Sequence, residues 1–317
     1  MIASGIQSYC LHMIKQTLYF GNPAKLSVEN CQLRIAVGST RQGEVRVVTR
    51  PLEDIGVVII DCPQILLTAP VMQGLMQHGA AMVVCDDRHM PTGLLLNMEG
   101  SAVQSERFRI HLSASQPLKK QLWQQTVVAK IKNQAAAMAI IANENPLALI
   151  RMANKVKSGD SGNVEAQAAS YYWKVLFDRF GGIKRSRDGE DPNTMLNYGY
   201  AIVRAMMARS LVAAGMHPSL GIFHRNKYNA YCLADDIMEP YRPYVDILVM
   251  EICERYGVQG IDNREIKAAI LGIVSKETVL NGLRYPLMTA ISETAVSLFK
   301  CFNGESRKIK YPEIPIP

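Results

Sequence analysis

The chain lacks most of the features that mark a function at once. Seven cysteines stand among its 317 residues, at 10, 31, 62, 85, 232, 253 and 301, an odd number with no CxxC pair. That excludes the usual zinc-ribbon and thioredoxin-like patterns. Cys85 in AAMVVCDD and Cys253 in LVMEICERYG sit inside apolar runs, where cysteine acts as a small core residue. Such usage is expected of a reducing, cytoplasmic compartment. No uninterrupted apolar run reaches the roughly 18 residues that a membrane-spanning helix needs. Residues 1–12, MIASGIQSYCLH, lack a basic stretch followed by an apolar one, so they do not read as a secretory signal. They are expected to be a disordered extension ahead of the patterned segment that starts at Met13. There is no internal repeat, no low-complexity block, and no GxSxG or Cys–His motif for covalent catalysis.

What is present suits a globular chain. The sequence is 48% hydrophobic and 20% charged, with 35 Lys and Arg against 28 Asp and Glu. The apolar fraction is too high for disorder and large enough for a sizeable core, and the length fits one large domain or two. A net charge of +7 weakly favours a polyanionic partner, and it equally serves to keep a globular enzyme in solution.

Two textures divide the chain. TLYF (17–20), KLSVE (25–29), QLRIAVG (32–38) and EVRVVTR (44–50) are short, β-branched and separated by turn residues, as strands are. IGVVIID (55–61) is apolar throughout and suits a strand buried on both faces. A short helix fits 69–78, with further strands at 80–87 and 93–97. Beyond about residue 101 the period becomes helical: 119–141, 164–177, 194–215, 243–257, 266–280 and 285–304 read as helices, with Gly215 and Gly304 as C-terminal stops. The expected class is α+β: a β-rich domain over 13–100, an all-helical catalytic domain over 101–302, and a flexible Pro-rich tail over 303–317.

Glu165 follows the turn sequence Asp160-Ser161-Gly162-Asn163, which puts it in the first turn of a helix, where an acid is stabilised by the dipole whatever else it does. His224 lies in LGIFHRNKYNA, between an apolar run and a basic turn. Asp235, Asp236 and Glu239 lie in LADDIMEPYRP, and Asp236 and Glu239 share a helix face. Like charges so close need a cation between them, and Arg242 is placed to supply one. Two carboxylates and an imidazole from three segments form an oxygen-rich set that suits Mg²⁺ or Mn²⁺ better than zinc. The spacing alone is weak evidence, since carboxylates and histidine occur in most enzymes of this size.

Basic residues surround these acids. Residues 115–160 carry seven Lys or Arg against two acids. Arg225 and Lys227 flank His224, Arg204 and Arg209 lie on the preceding helix, and Lys184, Arg185 and Arg187 form a basic loop. Cations around a carboxylate–histidine set are the footprint of phosphodiester chemistry, so Arg204, Arg209, Arg225, Lys227 and Arg242 are DNA-binding candidates. Lys130 and Lys132 read better as a solvated helix face, and Tyr198 and Tyr200 as packing residues.

The string LNYGYAIVRAMMARSLVAAGMHPSLGIFHRNKYNAYCLADDIMEPYRPYVD (196–246) resembles the signature region of the CRISPR adaptation integrase, the Cas-one family. NYGY, the Gly-His-Pro-containing link, G-I-x-H and D-x-M-E-P-x-R-P stand in the family's order. SGDSGNVEAQAASYYW resembles its first acidic motif, LKKQLWQQTVVAKIKNQA the opening of its helical domain, and TLYFGNPAKLSVEN, RPLEDIGVVIID and HGAAMVVCDDRHMPTG its β domain. The likeness spans about 13–300 and is closest to members that accompany the large RNA-guided effector nuclease of type II systems. The resemblance implies a metal-dependent endonuclease and integrase, with Glu165, His224 and Glu239 as catalytic Mg²⁺ or Mn²⁺ ligands and Asp236 as a nearby acid that competes with Glu239 for third place. It also implies a homodimer through the N-terminal domain, double-stranded prespacer and repeat DNA as substrates, and a small Cas-two partner in a heterohexamer. The effector nuclease is a further partner of that system type. A general metal-dependent nuclease and a non-catalytic DNA-binding assembly subunit are the competing readings.

Overall fold

The computed structural model describes residues 15–38, 45–98, 103–178, 185, 186, 189, 191–258, 260, 261 and 263–315. The expected N-terminal extension, and Lys184 and Arg187 of the basic loop, lie outside the described residues.

The first part holds β1 (Gln16–Phe20), β2 (Ala24–Glu29), β3 (Gln32–Val37), β4 (Arg46–Pro51), β5 (Ile55–Ile60), β6 (Ile65–Leu67), α1 (Ala69–Gln77), β7 (Ala81–Cys85) and β8 (Pro91–Leu95). They form two four-stranded sheets, ordered β4-β3-β2-β6 and β1-β5-β7-β8. The second sheet is parallel from β1 through β7, and β8 closes its edge antiparallel. All six residues of β5 are buried. Successive side chains point to opposite faces, so Val58 and Ile60 join Leu26, Leu33, Val71 and Leu75 in the core of the β part. Val57 and Ile59 instead join the helical core. The unbroken apolar run therefore has a cause: β5 serves two cores at once, and its sheet is shared between the β-rich and helical parts. The three-residue β6 escaped the sequence reading because it is too short to show a period.

The helical part holds α2 (Gln104–Ser113), α3 (Gln116–Ala142), α4 (Leu147–Ala153), α5 (Val164–Asp178), α6 (Asn193–Ala213), α7 (Cys232–Met238), α8 (Arg242–Tyr256), α9 (Arg264–Leu271) and α10 (Leu287–Phe302), with a hairpin of β9 (Glu277–Leu280) and β10 (Leu283–Pro286) before the last helix. The β-rich first part followed by a helical second part is the expected class. Long α3 is the central pillar, packed against α4, α5, α8 and the turn 239–241. Trp123, Val127, Ile131 and Met138 recur along its buried side. Helices α6 and α8 meet at Gly199 of NYGY, where an added Cβ would lie 2.4 Å from Val245 Cγ1. The glycine is what allows this close approach. Tyr200 and Tyr172 donate hydroxyls to buried Asp246, which places Tyr200 in packing, as expected.

Two expectations are corrected. The segment 266–280 is not one helix: α9 stops at Leu271, and ETVL pairs with LRYP across Asn281-Gly282, with φ of +52° and +78°. That dipeptide is the strongest short hairpin signal in a sequence. The tail is not loose. Ile309 and Ile314 are buried, the Gln125 side chain pairs with Arg307 O and Ile309 N–H, and Glu313 N–H bonds to Val279 O. Alternating apolar residues give this extended segment a buried side.

Among the described residues no helix is long and apolar enough to cross a membrane. The six described cysteines are free. Burial pushes the thiols of Cys85 and Cys253 up to about 12 and about 11, so neither is poised as a nucleophile.

Candidate active site

Glu165 is placed by its helix start. Asp160, at φ +48°, accepts the N–H groups of Val164 at 2.9 Å and Glu165 at 3.0 Å. It thereby satisfies the first turn of α5 and fixes Glu165 against α3. Glu239 begins the turn after α7 and is buried. Its Oε1 takes Arg242 Nε at 2.8 Å, the pairing anticipated from their spacing.

Between the two glutamates stands Lys130. Its Nζ is 2.6 Å from Glu165 Oε1 and 2.6 Å from Glu239 Oε2, and the residue is buried. The expectation that Lys130 belongs to a solvated face is overturned. It follows Leu122 and Thr126 at four-residue steps on the buried stripe of α3, and that position was the signal for it. Burial alone would lower the Lys130 pKa, but the charges of Glu239 and Glu165 outweigh it and raise it. Burial likewise pushes Glu239 up, and Arg242 and Lys130 together bring it down to about 2. The Lys130 contact to Glu239 Oε2 is an ion pair whose angles leave that buried oxygen without a hydrogen bond.

His224 projects from the loop between α6 and α7 and is half-exposed. Its Nδ1 lies 2.5 Å from Asp236 Oδ1. A carboxylate only accepts, so the proton is on Nδ1 and Nε2 is left free. The Asp236 hydrogen bond raises the His224 pKa, offset by burial and reinforced by the charges of Asp236, Glu239 and Glu165. Fully buried Asp236 also accepts the N–H groups of Phe223 at 2.8 Å and His224 at 3.3 Å, so its oxygens are spent on the loop. Gly221 closes that loop: a Cβ there would meet His224 O at 2.4 Å and Asp236 Oδ2 at 2.9 Å.

The structure thus joins Glu165 and Glu239 through Lys130 and sets His224 beside them, within reach of their charge. Among the described residues no group of three or more His, Cys, Asp or Glu is already convergent on one ion position. The donor chemistry nonetheless fits a hard divalent cation. Two carboxylates already enclose one positive charge, Glu239 has an oxygen without a hydrogen bond, and His224 has a free nitrogen backed by a carboxylate.

The basic candidates separate. Arg209 donates to Gly79 O at 2.5 Å, and burial lowers its pKa. It ties α6 to the β-rich part through its Nε. Arg204 holds Asp235 at 2.7 Å, and Arg242 is committed to Glu239 and stacked over Tyr200 at 4.6 Å. Arg225 and Lys227 remain exposed beside His224, with Arg225 donating to the side chain of Gln116 at 2.6 Å. Lys130, Asp160 and the ring of Phe223 are the residues that sequence reading did not place at the site.

The family model "CRISPR associated protein Cas1" matches residues 18–281. A CRISPR-associated endonuclease Cas1 of Neisseria meningitidis serogroup C is 37% identical over 306 residues, covering 95% of this chain and 97% of its own. Among solved structures, a casposase bound to integration product superposes with a TM-score of 0.78 at 20% identity, covering 95% of each chain. A Cas6-RT-Cas1–Cas2 complex gives 0.72 at 18% identity, covering 94% of this chain and 36% of that one.

Proposed function

This chain belongs to the family of CRISPR-associated Cas1 proteins, and from that membership we propose that it is a metal-dependent DNA endonuclease and integrase of CRISPR adaptation. Its reaction is the joining of a prespacer 3′-hydroxyl to a phosphodiester at the edge of a repeat. The observation that carries this is the buried cation between Glu165 and Glu239, with His224 oriented beside it by Asp236. The relatives' names support it: an endonuclease at 37% identity and a casposase seated on an integration product.

Glu165, His224 and Glu239 would hold Mg²⁺ or Mn²⁺, which supplies charge stabilisation for phosphoryl transfer. Asp236 is then the residue that orients His224, and Glu239 the ligand. The rest of the chemistry is the chain's own. Asp236 keeps the His224 proton on Nδ1, Arg242 keeps Glu239 ionised, and Arg225 and Lys227 face the backbone phosphates. The attacking and leaving groups are both oxygens of DNA, so no protein nucleophile is required.

Placing two 3′ ends at a set separation requires two sites. Two homodimers, each formed through the β-rich part and bridged by a dimer of the small Cas-two partner, supply them, and the fold likeness to a chain of a Cas6-RT-Cas1–Cas2 complex supports the small partner. The test combines the protein and small partner with a 3′-hydroxyl duplex, a repeat-bearing plasmid and Mn²⁺ or Mg²⁺. Strand-joined product is expected, lost in Glu165→Ala, His224→Ala and Glu239→Ala. Degradation without joining would reduce the protein to a general nuclease, and binding without cleavage or joining to an assembly subunit.

A further inference from the structure

The loop that carries His224 also carries an aromatic surface. Phe223 is 45% exposed. Its ring lies flat on Trp123, with centroids 4.3 Å apart and planes within 3°, and Trp123 is wholly buried. The His224 ring stands edge-on, 5.0 Å from the Phe223 centroid. One face of Phe223 is therefore covered by indole, one edge by imidazole, and the opposite face is left to solvent.

The ring is held in place. Phe223 N–H and His224 Nδ1 both bond to the Asp236 carboxylate, so one buried anchor sets the aromatic face and the imidazole together. Arg225, Lys227 and Tyr228 follow on the same loop, all exposed, and Lys227 Nζ lies 4.7 Å from the Tyr228 ring centroid. A rigid, open aromatic face with cations on its flank is how proteins hold single-stranded nucleic acid: bases stack on the ring while cations follow the backbone. A second protein surface would need wider apolar area, and the residues beyond the ring are charged or polar.

We propose that the outer face of Phe223 is a nucleobase subsite. The base next to the reacting phosphate stacks there as a third layer on the Trp123–Phe223 pair, and Arg225 and Lys227 take the neighbouring phosphates. The position next to the reacting phosphate rests on the DNA-joining reading, whereas the stacking surface itself does not. Because every base has a π-face, the subsite tolerates all four bases and demands an unpaired nucleotide. It positions the strand and does no chemistry.

The test is a cycle between protein and DNA. Dissociation constants are measured by fluorescence anisotropy for a short single-stranded oligonucleotide and for a set with one abasic nucleotide walked along it. The wild type, Phe223→Leu and Phe223→Tyr are compared, after circular dichroism shows each folded. Leucine keeps Trp123 covered and removes the flat face, while tyrosine keeps it. Phe223→Leu should weaken binding by roughly 5- to 150-fold, the worth of one base–aromatic stack, and Phe223→Tyr should not. One abasic position should cost the wild type a similar factor and cost Phe223→Leu nothing further. Losses that multiply at every position, or full affinity in Phe223→Leu, overturn the subsite. Strand joining is read in parallel on wild-type protein. Joining without coupling sinks the subsite alone, and coupling without joining sinks the integrase reading alone.

Discussion

Replacing Lys130 by methionine tests the centre of the site. Methionine keeps most of the volume and removes the charge. Lys130 Nζ lies 2.6 Å from both Glu165 and Glu239, with side-chain exposures of 11%, 20% and 9% for the three. Removing one partner of a buried pair costs about 3–5 kcal/mol, because the other charge is stranded. Glu239 keeps Arg242 and Glu165 is partly wet, so the low end, about 3 kcal/mol at pH 7, is expected. The loss also has a pH signature. In the wild type Glu239 is held down to about 2 against an ordinary value of 4.5. Its contribution is present above 4.5 and disappears as pH falls through 2. Without Lys130 its folded pKa rises, so less is left to lose, and the gap between wild type and variant should narrow between pH 5 and 2. Urea unfolding followed by the fluorescence of Trp123 and Trp173, without divalent metal, reads both quantities. A loss below about 1 kcal/mol, or a gap independent of pH, would refute a buried cation bridging two ionised glutamates.

Three further outcomes follow. Burial pushes Asp246 up to about 6 from 3.8, although the hydroxyls of Tyr200 and Tyr172 restrain it; the folded state then binds the proton more tightly, so stability should fall by about 2 kcal/mol as pH rises from 4 to 6. Thermal melts across that range should show this slope in the wild type and not in Asp246→Asn. Gly221→Ala puts a methyl 2.4 Å from His224 O, and should cost about 1–3 kcal/mol and depress strand joining more than single-strand binding. Asn133 donates to Pro240 O at 2.8 Å and Pro312 O at 3.0 Å and accepts from Ile314 N–H at 3.1 Å; Asn133→Leu strands three buried groups, so a loss of at least about 3 kcal/mol is expected in denaturant titration, with protease cleavage appearing in the last twelve residues.

The candidate site was legible where its residues are set by residue type and order. Glu165 at a helix start, His224 in a basic loop and Glu239 paired with Arg242 were all visible, because capping, dipole and three-residue spacing act over a few residues. Lys130 was not. Its stripe position on α3 was readable, but a lysine on such a stripe is usually a snorkelling surface residue, and only two glutamates arriving from other segments make its burial favourable. Nor was the structural contact of Arg209 readable: its partner, Gly79 O, lies 130 positions away. The C-terminal segment looked loose because prolines and lysines suggest so locally, while its stability comes from Gln125 and Asn133 on α3.

The sequence by itself determined the class of the fold, the order of its two parts and the family, because periodicity, turns and motif order are local properties of the chain. It also held the β5 run, whose unbroken apolarity required burial on two faces. Which two cores those faces enter, which of Asp236 and Glu239 turns toward Lys130, and how Phe223 comes to lie open beside His224 were decided only by tertiary structure. Those outcomes depend on contacts between residues tens to hundreds of positions apart, and the energy of such a contact exists only once both partners have been brought together.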